Sequence, residues 1–177
     1  LLLKLITDLL NLSNIEEGKV EITPEEINLN LLFEKTLPML KEIVGPPDGR
    51  LVVNNTLEDS GKLASVTVDQ IRTKQILINF VSNAVKYTNE GTITLKAKKE
   101  ANKTYFEIKD TGIGIKEEDL NKIYERFYRV DKARTTTKNG IGLGLSIVKK
   151  ICERFEVNIK VKSTLEVGSC FTIEFNK

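Results

Sequence analysis

One stretch carries polar side chains at a spacing that could meet a ligand: Gln75-Ile-Leu-Ile-Asn79-Phe-Val-Ser-Asn83-Ala-Val-Lys86-Tyr87. Asn79, Asn83 and Lys86 stand four and three residues apart, which stacks them on one face of a helix. Opposite them, Leu77, Phe80, Val81 and Ala84 recur at i, i+3, i+4 and i+7, the stripe of a helix that faces a core. Ile76, Ile78 and Val85 are apolar too, so the polar seam is narrow. A merely solvated seam would be made of Glu or Lys. Asparagine inside a helix costs roughly half a kcal/mol or more against Ala, because its amide competes for backbone hydrogen bonds. Two asparagines one turn apart, followed by a lysine, suit a ligand instead. Amide oxygens can hold a hard cation such as Mg²⁺, and an ammonium can meet phosphate.

Further along, Asp110 shares the parity of Phe106 and Ile108, so it leaves its strand on the inward face. A carboxylate placed there needs a partner or a raised pKa. It opens Asp110-Thr-Gly-Ile-Gly114, whose Gly112 and Gly114 allow positive φ and close approach of a ligand to the backbone. A short acidic helix is expected around Glu117 to Leu120, then the stretch Glu125-Arg-Phe-Tyr-Arg-Val-Asp-Lys-Ala-Arg134. Thr135 to Asn139 is polar and aperiodic, a mobile loop by composition. It leads into Gly140-Ile-Gly142-Leu-Gly144, which opens a helix with Leu145, Val148, Ile151, Cys152 and Phe155 at core spacing. That helix has no acidic residue before Glu153, so its N–H groups and positive dipole end are left for an anion.

The elements that must position these groups follow from the rest of the chain. Its 177 residues, 29% charged and 40% hydrophobic, fit one soluble domain of about 150 residues with an appendage. A net charge of +2 gives no sign of a nucleic-acid or membrane surface. Cys152 and Cys170 lack metal or redox spacing and are expected as buried, reduced thiols of a cytosolic domain. Leu2, Leu5, Leu9 and Leu12 form the seam of a coiled-coil or bundle helix, which is too short and too interrupted to span a bilayer. A chain that starts without Met inside such a helix is expected to be part of something longer. Gly18 ends the helix, Val20 to Ile22 reads as a short strand, and Thr23-Pro24 turns the chain. Asn28 caps a second helix with Phe33, Leu37, Leu40 and Val44 inward, and Pro38 should kink or shorten it. Gly45 to Gly49 is a turn. Strands are expected at Leu51 to Asn54, Val66 to Val68, Ile93 to Ala97, Phe106 to Ile108, Ile159 to Val161 and Phe171 to Phe175. The last two join through Gly168, and Asp69 caps the central helix.

In order and spacing these motifs resemble the ATP-binding catalytic domain of sensor histidine kinases, within the gyrase–Hsp90–kinase–MutL superfamily. Asn79, Asn83, Lys86 and Tyr87 match its N box, and Asp110 to Gly114 its first glycine box. Glu125 to Lys132 is similar to its F box, and Gly140 to Gly144 to its second glycine box. The likeness runs from about Leu51 to the C-terminus, and Leu1 to Lys19 looks like the end of the second dimerisation helix. It implies two parts, 1–19 from that helix and 20–177 as catalytic domain. The implied fold is an α/β two-layer sandwich of Bergerat type, a mixed, mostly antiparallel sheet with helices on one face.

By that resemblance Asp110 accepts from the adenine amino group, where guanine would oppose it with a carbonyl. Asn83 would bind Mg²⁺ with Asn79 beside it. Lys86, Arg129 and Lys132 would neutralise phosphates that the backbone of Gly140, Gly142 and Gly144 cradles. Gly112, Gly114 and Tyr87 would border the base, and Ile115, Leu143 and Ser169 complete the nucleotide set. Asp131 to Asn139 would be the ATP lid. Asn79, Asn83, Lys86 and Arg129 would be the catalytic residues. The implied cofactors are ATP and Mg²⁺. The implied partners are a dimerisation domain carrying the phosphoacceptor histidine and a response regulator, with a homodimer in the full-length protein, a monomer for this fragment and no nucleic acid. The domain would be cytoplasmic, within a sensor that can be membrane-anchored.

Two departures matter. The chain contains no histidine, so it cannot phosphorylate itself on one. The second glycine box reads Asn139-Gly-Ile-Gly where two glycines then Thr-Gly are common, which stiffens the lid's return but keeps three glycines. ATP-hydrolysing relatives place a glutamate one turn before the Mg²⁺ asparagine to activate water. Here that position is Asn79, which cannot act as a general base. Phosphotransfer to histidine is therefore preferred over hydrolysis. A serine-directed kinase, or a nucleotide-sensing domain without transfer, would use a similar site. The helix remnant at Leu1 to Lys19 favours histidine over serine, and the intact polar motifs favour transfer over sensing.

Overall fold

A computed structural model describes residues 2–21, 23–44, 51–57, 65–100, 103–130, 141–155 and 157–176. In chain order its elements are α1 (Leu2–Glu16), β1 (Glu25–Asn28), α2 (Leu29–Val44), β2 (Leu51–Leu57), β3 (Ser65–Val68), α3 (Gln70–Tyr87), β4 (Gly91–Glu100), β5 (Lys103–Asp110), α4 (Gly144–Arg154), β6 (Asn158–Thr164) and β7 (Gly168–Asn176). Between β5 and α4 lies a single 3₁₀ turn, Glu117–Asp119, where a short acidic helix was expected.

The main sheet has the order β2-β4-β5-β7-β6. Only the β2–β4 pair is parallel; β4–β5, β5–β7 and β6–β7 are antiparallel, the mixed sheet expected. Alternation drives Ile93, Leu95 and Ala97 of β4, Phe106 and Ile108 of β5, and Phe171, Ile173 and Phe175 of β7 to one buried face. α3 lies against that face with Leu77, Phe80, Val81 and Ala84 buried, the stripe read from its periodicity, and Ile76 of its flank buried with them. Phe80 stacks on Phe171 with ring centroids 4.9 Å apart, and Phe106 meets Phe175 edge-on at 5.9 Å. α4 closes the layer beside it through Ile147, Val148, Ile151 and Cys152. On the other face of the sheet, Glu174 is buried between Lys103 and Lys160, whose ammonium groups hold its carboxyl down at about 2.

Four expectations are corrected. Val20 and Glu21 are not in a strand, and Ile22 lies outside the described residues. The strand is β1, just past Pro24, and it pairs antiparallel with β3 so that Ile27 is buried opposite Val66. Pro38 does not shorten α2, which runs through it to Val44. Asn28 does cap that helix, its Oδ1 accepting from Leu31 N–H at 3.3 Å. Of the α1 seam, Leu12 and also Ile15 are buried, whereas Leu2 and Leu9 are exposed. Cys152 is buried, but Cys170 is only half-buried because it points to the outer face of β7. The expected turn at Gly45 to Gly49 lies outside the described residues. Among the described residues no helix is long and apolar enough to cross a membrane.

Candidate functional site

The site is built where α3, the end of β5, the start of β7 and the start of α4 meet. α3 is held in place at its first turn. Asp69 Oδ1 accepts from Arg72 N–H at 2.9 Å, and Asp69 Oδ2 accepts from Thr23 N–H at 3.2 Å. With the apolar stripe locked into the core, Asn79, Asn83 and Lys86 must face the opposite way, and all three are half-buried. The Asn79 amide donates to Gln75 O at 2.9 Å, which leaves its oxygen turned toward Gly144, where any Cβ would sit 2.7 Å from it. The Asn83 side chain makes no hydrogen bond to a described residue and lines both compartments of the site. The Lys86 ammonium lies 4.9 Å from the centre of the Tyr87 ring.

The first compartment is an apolar cavity with one carboxylate. Asp110 is buried, and burial pushes its carboxyl up from the ordinary value against the pull of two backbone donors. Those donors, Gly112 N–H at 2.9 Å and Ser169 N–H at 3.2 Å, both meet Oδ1. Oδ2 thus has no protein partner among the described residues, and Asp110 lines the cavity. Around it stand Asn83, Tyr87, Gly114, Ile115, Arg129 and Ser169, each picked out from the sequence. Gly112 is not a wall: it lies beneath, packed on the Tyr87 carbonyl and fixing Asp110. Gly114 has φ +67°, and a Cβ there would overlap the Thr164 carbonyl, so glycine is required.

The second compartment adjoins the first and is more polar. Asn79, Asn83, Lys86, Tyr87 and Arg129 border it with Gly142, Leu143 and Gly144. Leu143 is the N-cap residue of α4 and supplies no side-chain cap, and the first turn holds no acid. The helix end thus lacks a side-chain cap and an acid, as its sequence implied, and Leu143 and Gly144 place it at the border of the seam. Gly142 has φ +81°, with Phe127 Cα 2.9 Å from any Cβ, and its carbonyl accepts from Phe127 N–H at 3.0 Å. Phe127 itself has φ +62°. The two stretches read as F box and second glycine box are thereby stitched together.

Several contributors were not singled out from the sequence. Ile113, Ile123, Tyr128, Val130, Leu145 and Phe171 also line the first cavity. The Tyr128 hydroxyl donates to Asp119 Oδ1 at 2.6 Å, and chiefly that bond pushes its phenol up to about 12. Phe171 had a signal, its inward parity on a strand that also carries Ser169. The rest are brought in by tertiary packing. Lys132, Gly140 and the expected lid from Asp131 to Asn139 lie outside the described residues. Among the described residues no cluster of His, Cys, Asp or Glu could hold a metal ion.

Residues 68–177 match the family described as histidine kinase-, DNA gyrase B-, and HSP90-like ATPase. The chain is 36% identical over 176 residues to hybrid signal transduction histidine kinase B of Dictyostelium discoideum, covering 97% of this chain and 9% of that protein. It is 35% identical to the circadian input-output histidine kinase CikA of Synechococcus elongatus, covering 97% of this chain and 23% of that protein. The chain thus spans less than a quarter of these two curated relatives. Among solved structures, full-length ShkA in complex with AMPPNP aligns over 98% of this chain and 35% of its own, with TM-score 0.83 and 25% identity. The nucleotide-free catalytic domain of histidine kinase ThkA aligns over 89% of this chain and 97% of its own, with TM-score 0.72 and 29% identity.

Proposed function

Because the chain belongs to the histidine kinase-, DNA gyrase B-, and HSP90-like ATPase family, we propose that it is the Mg·ATP-binding catalytic domain of a sensor histidine kinase. The carrying observation is Asp110: a buried carboxylate with one oxygen satisfied by backbone and the other turned to an apolar cavity that opens onto the α3 seam. An ionised carboxylate only accepts, so it selects a base that donates there, as adenine does. The phosphates then run toward Lys86, Arg129 and the N-terminus of α4, where cationic side chains and backbone N–H groups meet them. Lys132 and Gly140 belong to the same set, with Asp131 to Asn139 as lid. Full-length ShkA, similar in fold, is known in complex with AMPPNP, which supports the reading of a nucleotide site.

The donor set fits Mg²⁺. Asn83 has a neutral amide oxygen with no competing partner among the described residues, and Asn79 is already tethered by its own helix. A hard cation with one or two protein oxygens completes its shell from phosphate and water. When bound, Mg²⁺ supplies neutralisation of the charge on the transferring phosphoryl group. Asn83 would hold it, Lys86 and Arg129 would meet the phosphates, and the Asp110 cavity would hold the base.

The acceptor is a histidine outside this chain, which has none. No carboxylate stands at position 79 to activate water. The partners are then a dimerisation domain, including residues 1–19 as the end of its second helix, and a response regulator, with the site in the cytoplasm. Incubation with γ-labelled ATP and Mg²⁺ should give binding, negligible self-labelling and very slow phosphate release. Adding a histidine-bearing dimerisation domain of the same protein should place label on that domain, and Asn83→Asp should abolish it. Fast Mg²⁺-dependent phosphate release by the chain alone would instead put it on the ATP-hydrolysing branch.

A further inference from the structure

Behind the cavity wall lies a small hydroxyl cluster. Ser163, on β6, does not line the cavity. Its Oγ accepts from Ile115 N–H at 2.8 Å, donates to Gly168 O at 2.9 Å, and lies 2.9 Å from Ser169 Oγ. Ser169 is 7% exposed and lines the cavity beside Asp110.

A serine hydroxyl has one proton and two acceptor lone pairs. Ser163 uses one lone pair on Ile115 N–H and its proton on the Gly168 carbonyl. Only a lone pair remains for the third neighbour, so the Ser163–Ser169 contact is satisfied when Ser169 donates. All three contacts hold together in that arrangement alone. Ser169 then has no proton for the cavity and shows it lone pairs only. Asp110 Oδ2, also without a partner among the described residues, is an acceptor as well.

We infer that Ser163 is a positioning residue that fixes the hydroxyl proton of Ser169, so that Ser169 and Asp110 present paired acceptors for the two N–H groups of an exocyclic purine amine. The inference rests on the reading that this cavity takes the base of ATP. It extends selectivity from one carboxylate to a pair of acceptors, one of them set from outside the pocket. A base with a carbonyl at that position would face two acceptors and no donor. Without Ser163 the Ser169 hydroxyl can rotate, donate into the cavity and tolerate such a base.

The test is calorimetric binding, to the whole chain with Mg²⁺, of ATP and of purine riboside triphosphate, which lacks the amino group. Ser163→Ala should reduce the preference for ATP about tenfold by weakening ATP while leaving the other nucleotide within about twofold. Ser163→Thr, which keeps the hydroxyl, should retain the preference. In a Ser169→Ala background, Ser163→Ala should change the preference no further. Equal weakening of both nucleotides, or an unchanged effect of Ser163→Ala without Ser169, would overturn the inference and leave Ser163 a structural residue. If Ser163→Ala does not fold, Ser163→Cys, of similar shape but a weaker donor and acceptor, should lower the preference in the same direction, and an unaltered preference there overturns the inference. Failure of the unsubstituted chain to bind ATP is a separate outcome that removes the reading beneath it.

Discussion

Helix α3 is closed at its N-terminus by a side chain, and helix α4 is not. Asp69 caps α3 and ties it to Thr23, while Leu143 at the same position of α4 has nothing to cap with. The two helices border one groove and act on it differently. α3 presents side chains, Asn79, Asn83 and Lys86, from a frame held by a buried opposite face that is apolar except for Thr73. α4 presents main chain, the N–H groups and dipole of its first turn. Side-chain function can be removed one residue at a time. Main-chain function is removed only by changing the path of the backbone, which is why glycines cluster at that end.

This contrast can be broken in order of effect. Phe80→Ala, at the centre of the α3 stripe and stacked on Phe171, should cost about 3–5 kcal/mol in urea denaturation. A much smaller loss would mean that α3 is not anchored as a frame. Gly142→Ala comes next. Its φ of +81° costs a side-chain-bearing residue about 1–2 kcal/mol, and Phe127 blocks the added methyl. ATP affinity should fall about tenfold with adenosine affinity unchanged, a difference of about 1.4 kcal/mol read by calorimetry. Equal loss for both ligands would mean that the α4 end does not serve phosphate. Asp69→Ala should lower stability by about 1 kcal/mol through loss of the α3 cap, measured as a shift in Tm. No polar cap exists on α4 to remove in the same way.

Two carboxylates should respond oppositely to acid. Asp110 is raised by burial, so its contribution to stability is present below the unfolded carboxylate pKa and lost as pH rises through the folded one. Glu174 is lowered to about 2 by Lys103 and Lys160, so its contribution is present above the unfolded pKa and lost as pH falls toward 2. Thermal unfolding between pH 2 and 7 should therefore show Asp110→Asn relieving a cost at neutral pH and Glu174→Gln flattening the acid limb. The reverse assignment would contradict the environments described.

What could be read from the sequence was what repeats locally. The α3 stripe and the inward parity of Asp110 depend on periods of 3.6 and 2, the Asp69 cap on one residue type at a helix start, and each stands as read. The β1–β3 ribbon escaped because its strands lie some forty residues apart and only four pairs join them. Pro38 misled because tertiary packing carries α2 through a residue that disfavours it locally. Ser163 had no local signal at all. Its role depends on β6, the loop after β5 and the start of β7 meeting at one oxygen atom.

The central claim is that the Asp110 cavity reads the base while the α3 seam and the α4 end hold the phosphates. Titrating the chain with ATP and with GTP, each with and without Mg²⁺, tests it most directly. The account predicts clear preference for ATP, dependence on Mg²⁺, and loss of most of the preference in Asp110→Asn, whose amide can donate as well as accept. Equal affinities for ATP and GTP in the unsubstituted chain would contradict it.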